Sequence, residues 1–209
     1  MTQLRNITTQ VKDADLVSER RALIAGAAAR VFRAKGFHNA TIREVAIEAG
    51  LSQGSLYNYV RTKDDILYLV HQDMTSAYAR DVEQAIEGVA EPRARLEAAI
   101  AAFVRSMRER HADITLIYQE THALEVASRR AVLAQTQVFI RRFEQLIDEA
   151  RAAGMALPGA GHLAADIVTF LPVMLALRRW RLRDLMPEAE AEAELVDFLM
   201  RGLGQKHGV

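Results

Sequence analysis

The sequence predicts an all-α chain, with a small N-terminal helix-turn-helix bundle of three helices joined to a larger helical body, about nine helices in total. Beyond Lys63, long segments rich in Ala, Leu, Glu and Arg run without the strict alternation of a half-buried strand. Proline occupies only 4 positions, which suits helix starts and breaks better than a loop-rich fold. Two capping boxes, Thr41 with Glu44 and Thr62 with Asp65, mark helix beginnings on either side of a short turn.

Taken in order, residues 1–17 carry no sustained periodicity and are expected to form a mobile arm. Leu23, Ile24, Ala27, Ala28, Val31 and Phe32 then make one apolar stripe of a helix that ends at Lys35, with Gly36 as its left-handed cap. Thr41 opens a second helix, on which Ile42, Val45, Ala46 and Ala49 recur at helical spacing. Gly50 stops it, because a residue without Cβ turns the chain sharply at no steric cost, and Ser52 caps the next helix. On that third helix Leu51, Leu56 and Val60 are expected to face inward, leaving Gln53, Ser55, Tyr57 and Asn58 on the other side. A further helix starts at Lys63 and continues through Ile66, Leu67 and Val70. Pro92 suits the start of one that reaches about Arg110, and others are expected at 113–124 and 128–153. A break from Gly154 to Gly161 around Pro158 precedes the last two, at 162–183 and 188–203. The expected organisation is an arm (1–17), a helix-turn-helix domain (18–66) and a body (67–209). No linker separates the last two, so the helix from Lys63 belongs to both, and its rotation is a route by which the body could move the head.

Charge gives this architecture a direction. The chain is neutral overall, yet residues 1–63 carry +5 and the remainder −5. A basic helix-turn-helix end on an acidic body points phosphate contacts to one end of the molecule. Thr41 and Ser52 stand at helix N-termini, where hydroxyls and backbone N–H groups bind phosphate, and Lys63 brings charge to another. Gln53, Ser55 and Asn58 are candidate base readers, since amides and hydroxyls match base-edge donors and acceptors. Arg43 suits either a base or a phosphate, and the arm's border at Arg20 and Arg21 either reaches DNA or is solvated. Each of these residues is also an ordinary choice for an exposed surface.

Other classes find little support. With no cysteine there is no disulfide framework, thiolate metal site or thiol switch. No apolar run approaches the roughly 18 residues needed to span a bilayer, and the polar N-terminus does not resemble a signal segment, so no membrane partner and a cytoplasmic location are expected. Neither a G-x-S-x-G, a phosphate loop nor an H-E-x-x-H occurs, and no enzyme is expected. His111, Asp113, Glu120 and His122 are of metal-ligand type, but their spacing places no convincing set on one face, so no metal site is expected.

The runs Arg30-Val-Phe-Arg-Ala-Lys-Gly-Phe, Thr41-Ile-Arg-Glu-Val-Ala, Ala49-Gly-Leu-Ser-Gln-Gly-Ser-Leu-Tyr-Asn-Tyr and Thr62-Lys-Asp-Asp-Ile-Leu resemble the DNA-binding domain of TetR-type transcriptional regulators. Val60 stands where the family usually has Phe, and Arg61 replaces a small or polar residue. The resemblance implies a homodimer on double-stranded operator DNA, released by a small hydrophobic effector, with no other cofactor. It also makes Tyr57 and Tyr59 backbone-contacting or core aromatics, with Tyr57 the better phosphate contact. The apolar stretches Leu163–Leu182 and Leu195–Leu203 suit the dimer contact.

In the body, Phe103, Met107, Ile114, Ile117, Tyr118, Val138, Phe139, Phe143, Phe170 and Met174 either line an effector cavity or fill it. Leu177-Arg-Arg-Trp-Arg-Leu-Arg183 offers arginines for a phosphate and a Trp for an adenine. Arg178, Arg179 and Trp180 resemble the Arg-Arg-Trp stretch of TetR-type regulators that sense acyl-CoA thioesters. The plainer reading is a basic helix end beside a core or dimer tryptophan. The alternatives are a repressor sensing a free drug-like, aromatic or fatty-acid compound, and a DNA-binding dimer with no small ligand.

Overall fold

The computed structural model describes residues 5–155 and 161–204. Among them are ten α-helices and one 3-10 turn, with no strand. The expected break at Pro158 and the first residues of the arm lie outside the described residues. The helices are α1 (Ala14–Lys35), α2 (Ile42–Glu48), α3 (Gln53–Tyr57), α4 (Lys63–Ile86) and α5 (Pro92–Glu109), then α6 (His111–Glu120), the 3-10 turn Thr121–Ala123, α7 (Val126–Ala152), α8 (Gly161–Leu177), α9 (Arg179–Leu182) and α10 (Glu188–Gly204).

The chain divides into two compact units. The first comprises residues 1–76 with 115–136, and the second 77–114 with 137–209. This is not the linear split at residue 66 that the sequence suggests. Helices α4, α6 and α7 each contribute to both units. The cause is chemical and non-local: Asp64, buried at the start of α4, accepts from the Glu125 N–H (2.8 Å) and from the Ser128 hydroxyl. These bonds bring the start of α7 into the first unit.

In that unit α1 packs on α2, and α2 on α3, around Ile24, Ala28, Phe32, Val45, Leu56 and Val60. Leu23, expected on the inward stripe, is exposed instead. Both capping boxes form: Thr41 and Glu44 exchange hydrogen bonds at α2, as Thr62 and Asp65 do at α4. From Arg5 onward the segment expected to be mobile is docked. Ile7 is buried, Arg5 forms ion pairs with Asp64 (3.2 Å) and Asp65 (2.7 Å), and α1 begins at Ala14 with Asp13 as its N-cap. Isolated long-range bonds and one buried side chain hold this segment, and those leave no periodic trace in a sequence.

The second unit packs α8 and α10 on α5. Its core includes a cluster of rings, with Phe139 centred 4.6 Å from Tyr78, 4.9 Å from Phe103 and 5.3 Å from Phe143. Such edge and tilted pairs contribute about 0.5–1.5 kcal/mol each beyond the area they bury. The helix expected over 162–183 is interrupted at Arg178, where φ is −106° and ψ 13°, and restarts as α9. After Leu177 the run offers no further apolar stripe to bury.

Candidate nucleic-acid interface and effector cleft

The short helix α3 is positioned from both ends. Ahead of it, Gly50 takes φ 66° and the chain closes a Schellman turn, Leu51 N–H to Ala46 carbonyl (2.9 Å) and Gly50 N–H to Ile47 carbonyl (3.0 Å). Ser52 Oγ then accepts from the Ser55 N–H at 3.0 Å. Behind it, the carbonyls that α3 leaves unpaired are taken by distant groups. Asn58 O accepts from Thr9 Oγ1 (2.9 Å) and the Gln10 N–H (3.2 Å), while Arg21 donates to Tyr59 O (3.2 Å) and to Ile7 O (2.7 Å). Arg21 is therefore committed inside the protein, and neither it nor Thr9 was legible as a positioning residue.

This frame leaves Gln53 and Tyr57 exposed, with Ser55 and Asn58 half-buried and Arg43 exposed on α2. Tyr59, included with the DNA-contacting residues, is buried and belongs to the core. Thr41 is exposed, but its hydroxyl is occupied by Glu44 at 2.9 Å. Lys35, together with the Thr41 backbone and hydroxyl, holds the Glu44 carboxyl down at about 2, so this helix end carries a paired anion.

Lys63 needs the largest correction. Its ammonium donates to the carbonyls of Phe37 (2.8 Å), His38 (3.0 Å) and Ala40 (3.1 Å) and lies 4.6 Å from the centre of the Phe37 ring. An ammonium has three N–H donors. All are spent on the α1–α2 loop, and the expected phosphate contact gives way to a structural one.

The expected effector residues do not form one site. Phe103, Met107, Phe139 and Phe143 are buried against one another or their neighbours and fill the second unit rather than line a cavity. Ile117 and Tyr118 belong to the first unit. Phe170, Arg178 and Trp180 are exposed, and Met174 is half-buried. The second unit does contain a small open cleft, about 30 Å³, lined by residues of α5, α8, α9 and α10 and by the first residue of α6. Leu175, Leu182, Met186 and Ala191 give it apolar walls, and Arg108, His111, Arg179 and Arg183 supply basic groups. Arg108 pairs with Glu192 at 2.6 Å and Arg179 with Glu188 at 2.7 Å. Of Arg178, Arg179 and Trp180, Arg179 lines it, together with Arg183 from the same stretch; Arg108 and His111 lay too far away in sequence to be grouped with them.

The expectation of no metal site was drawn from His111, Asp113, Glu120 and His122 and did not include His38. Glu120 and His122 lie with His38, and their donor atoms fall within 4.8 Å of one another. His38 is 82 residues from Glu120, beyond the reach of any spacing argument.

A three-helix head with an exposed polar reading helix, followed by an all-helical second unit, defines the helix-turn-helix transcriptional regulators. Residues 24–68 match the model of bacterial regulatory proteins of the tetR family, and residues 89–203 match that of a Tetracyclin repressor-like C-terminal domain. The chain belongs to the TetR family and is a transcriptional regulator, not an enzyme. It is 30% identical to the HTH-type transcriptional regulator HbdR of Aromatoleum sp. (strain CIB), over 91% of this chain and 83% of that protein. Its fold is similar to that of a tetR-family regulatory protein from Rhodococcus RHA1, with TM-score 0.76, 23% identity and coverage of 90% and 98% of the two chains. It is also similar in fold to AibR, solved with isovaleryl coenzyme A and operator DNA, with TM-score 0.69, 18% identity and coverage of 88% and 98%. No described helix is long and apolar enough to cross a membrane.

Proposed function

We propose that this regulator is a homodimeric repressor that binds operator DNA through α2 and α3 and is released by an acyl-CoA thioester held in the second unit. The reading rests chiefly on the cleft, where arginines from two separate helices stand around an apolar lining. A thioester of coenzyme A has the matching character, an acyl chain beside phosphates. Its phosphates would compete with Glu188 and Glu192 for Arg179 and Arg108, exchanging one charge-assisted pair for another. That exchange would loosen α9 and α5 from α10, and α4, shared by both units, would carry the change to the head. The ligand in the AibR structure supports the same effector class. Arg178 and Trp180 are exposed and serve this reading only at the rim.

Dimerisation is supported by apolar surface. Leu163, Ile167 and Phe170 are exposed along one face of α8, and Phe198 is 65% exposed on α10. Side chains of this size on packed helices suit burial against a second copy.

The test is release of labelled operator DNA, followed by fluorescence anisotropy, on titration with short- and long-chain acyl-CoA, free coenzyme A and the corresponding free acids. Release by the thioesters, weakened by roughly 10-fold or more in Arg179→Ala, is the expected result. Release by free acids alone would assign a free-acid sensor. Binding indifferent to every compound would leave a dimer without an effector of this class.

A further inference from the structure

We infer that His38, Glu120 and His122 form a binding site for a first-row divalent cation of the zinc type, in the first unit and separate from both the reading helix and the cleft. The three backbone positions are held. His38 lies in the loop between α1 and α2, its carbonyl bonded to Lys63 and its ring edge-on to Phe37 at 5.4 Å. Glu120 ends α6 with its side chain only 14% exposed, and His122 sits in the 3-10 turn that Leu124, buried, closes with an N–H bond to Thr121 O. The imidazoles themselves are exposed, so their rings can turn.

The geometry is close to what a metal requires. Bond lengths of about 2.0–2.2 Å in a tetrahedron put ligand atoms roughly 3.4 Å apart. His38 Nε2 lies 3.8 Å from Glu120 Oε2, and all three donors fit within 4.8 Å. A divalent cation would draw the two ring nitrogens and the carboxylate oxygen onto one centre. Two imidazoles and one carboxylate suit zinc or cobalt, with a fourth position left for water. The metal would cross-link the loop that leads into α2 to the end of α6 and so brace the head.

The experiment uses the full chain, free of any histidine tag and stripped with a chelator, titrated with Co²⁺ and followed by its visible absorption, then with Zn²⁺ in competition. One equivalent per chain is expected. His38→Ala and His122→Ala should each weaken binding by roughly 10-fold or more, whereas His162→Ala should not. Zn²⁺ should raise the melting temperature of the unsubstituted chain but not of His38→Ala, and should slow hydrogen exchange at 37–40 and 119–123. Equal affinity in the unsubstituted chain and the His38→Ala/His122→Ala double variant would overturn the proposal, as would protection confined to other segments.

Discussion

The Lys63 ammonium spends its donors on three carbonyls of one loop, so truncating it strands those acceptors and loosens the approach to α2. Lys63→Ala should lower stability by about 1–3 kcal/mol, measured by denaturant unfolding, and should leave the salt dependence of DNA binding nearly unchanged. A flattened salt slope at unaltered stability would restore the phosphate role. His71 makes a second statement at this scale. It is 2% exposed in α4, its Nε2 has no hydrogen-bond partner among the described residues, and burial pushes its imidazole down from 6.5 to about 4. Between those values the unfolded chain binds the proton and the folded chain does not. Stability is therefore full above pH 6.5 and is lost as pH falls toward 4. Urea midpoints measured across this window should drop for the unsubstituted chain, and that part of the slope should vanish in His71→Gln.

At the scale of elements, the turn between α2 and α3 depends on a backbone conformation that only glycine takes without strain. Gly50 has φ 66°, and a Cβ there meets nothing within 4 Å, so the cost of a side chain is conformational rather than a clash. Gly50→Ala should destabilise by about 1–2 kcal/mol and weaken DNA binding, because it disturbs the entry to α3; an unchanged unfolding midpoint would contradict this. This turn was legible in the sequence, as were both capping boxes and the start of α5 at Pro92, because each is a local rule written within a few residues. The docking of Arg5 and Thr9 was not, since it rests on partners 49 to 63 residues away. The candidate cleft and the His38 cluster were hidden for the same reason. Burial misled in the opposite sense: Phe103, Phe139 and Phe143 have the composition of a pocket lining, but only their mutual packing reveals that they fill the space.

For the whole molecule, exposed apolar side chains on α8 and α10 carry the dimer reading. Phe170 and Phe198 contribute little to the core of their own chain, being 56% and 65% exposed. Phe198→Glu should therefore give a monomer in sedimentation at micromolar concentration, with helicity retained and operator binding lost. A dimer that persists in Phe170→Glu/Phe198→Glu would place the contact elsewhere.

Whether α3 reads base sequence for a two-fold symmetric protein is tested most directly by selection of binding sites from random duplex DNA. The expected outcome is an enriched palindromic site whose half-sites lie about 34 Å apart, one helical turn or a small departure from it, with Gln53→Ala and Asn58→Ala relaxing particular base pairs within each half. Failure to enrich any sequence, or the same motif recovered unchanged by both variants, would contradict the account.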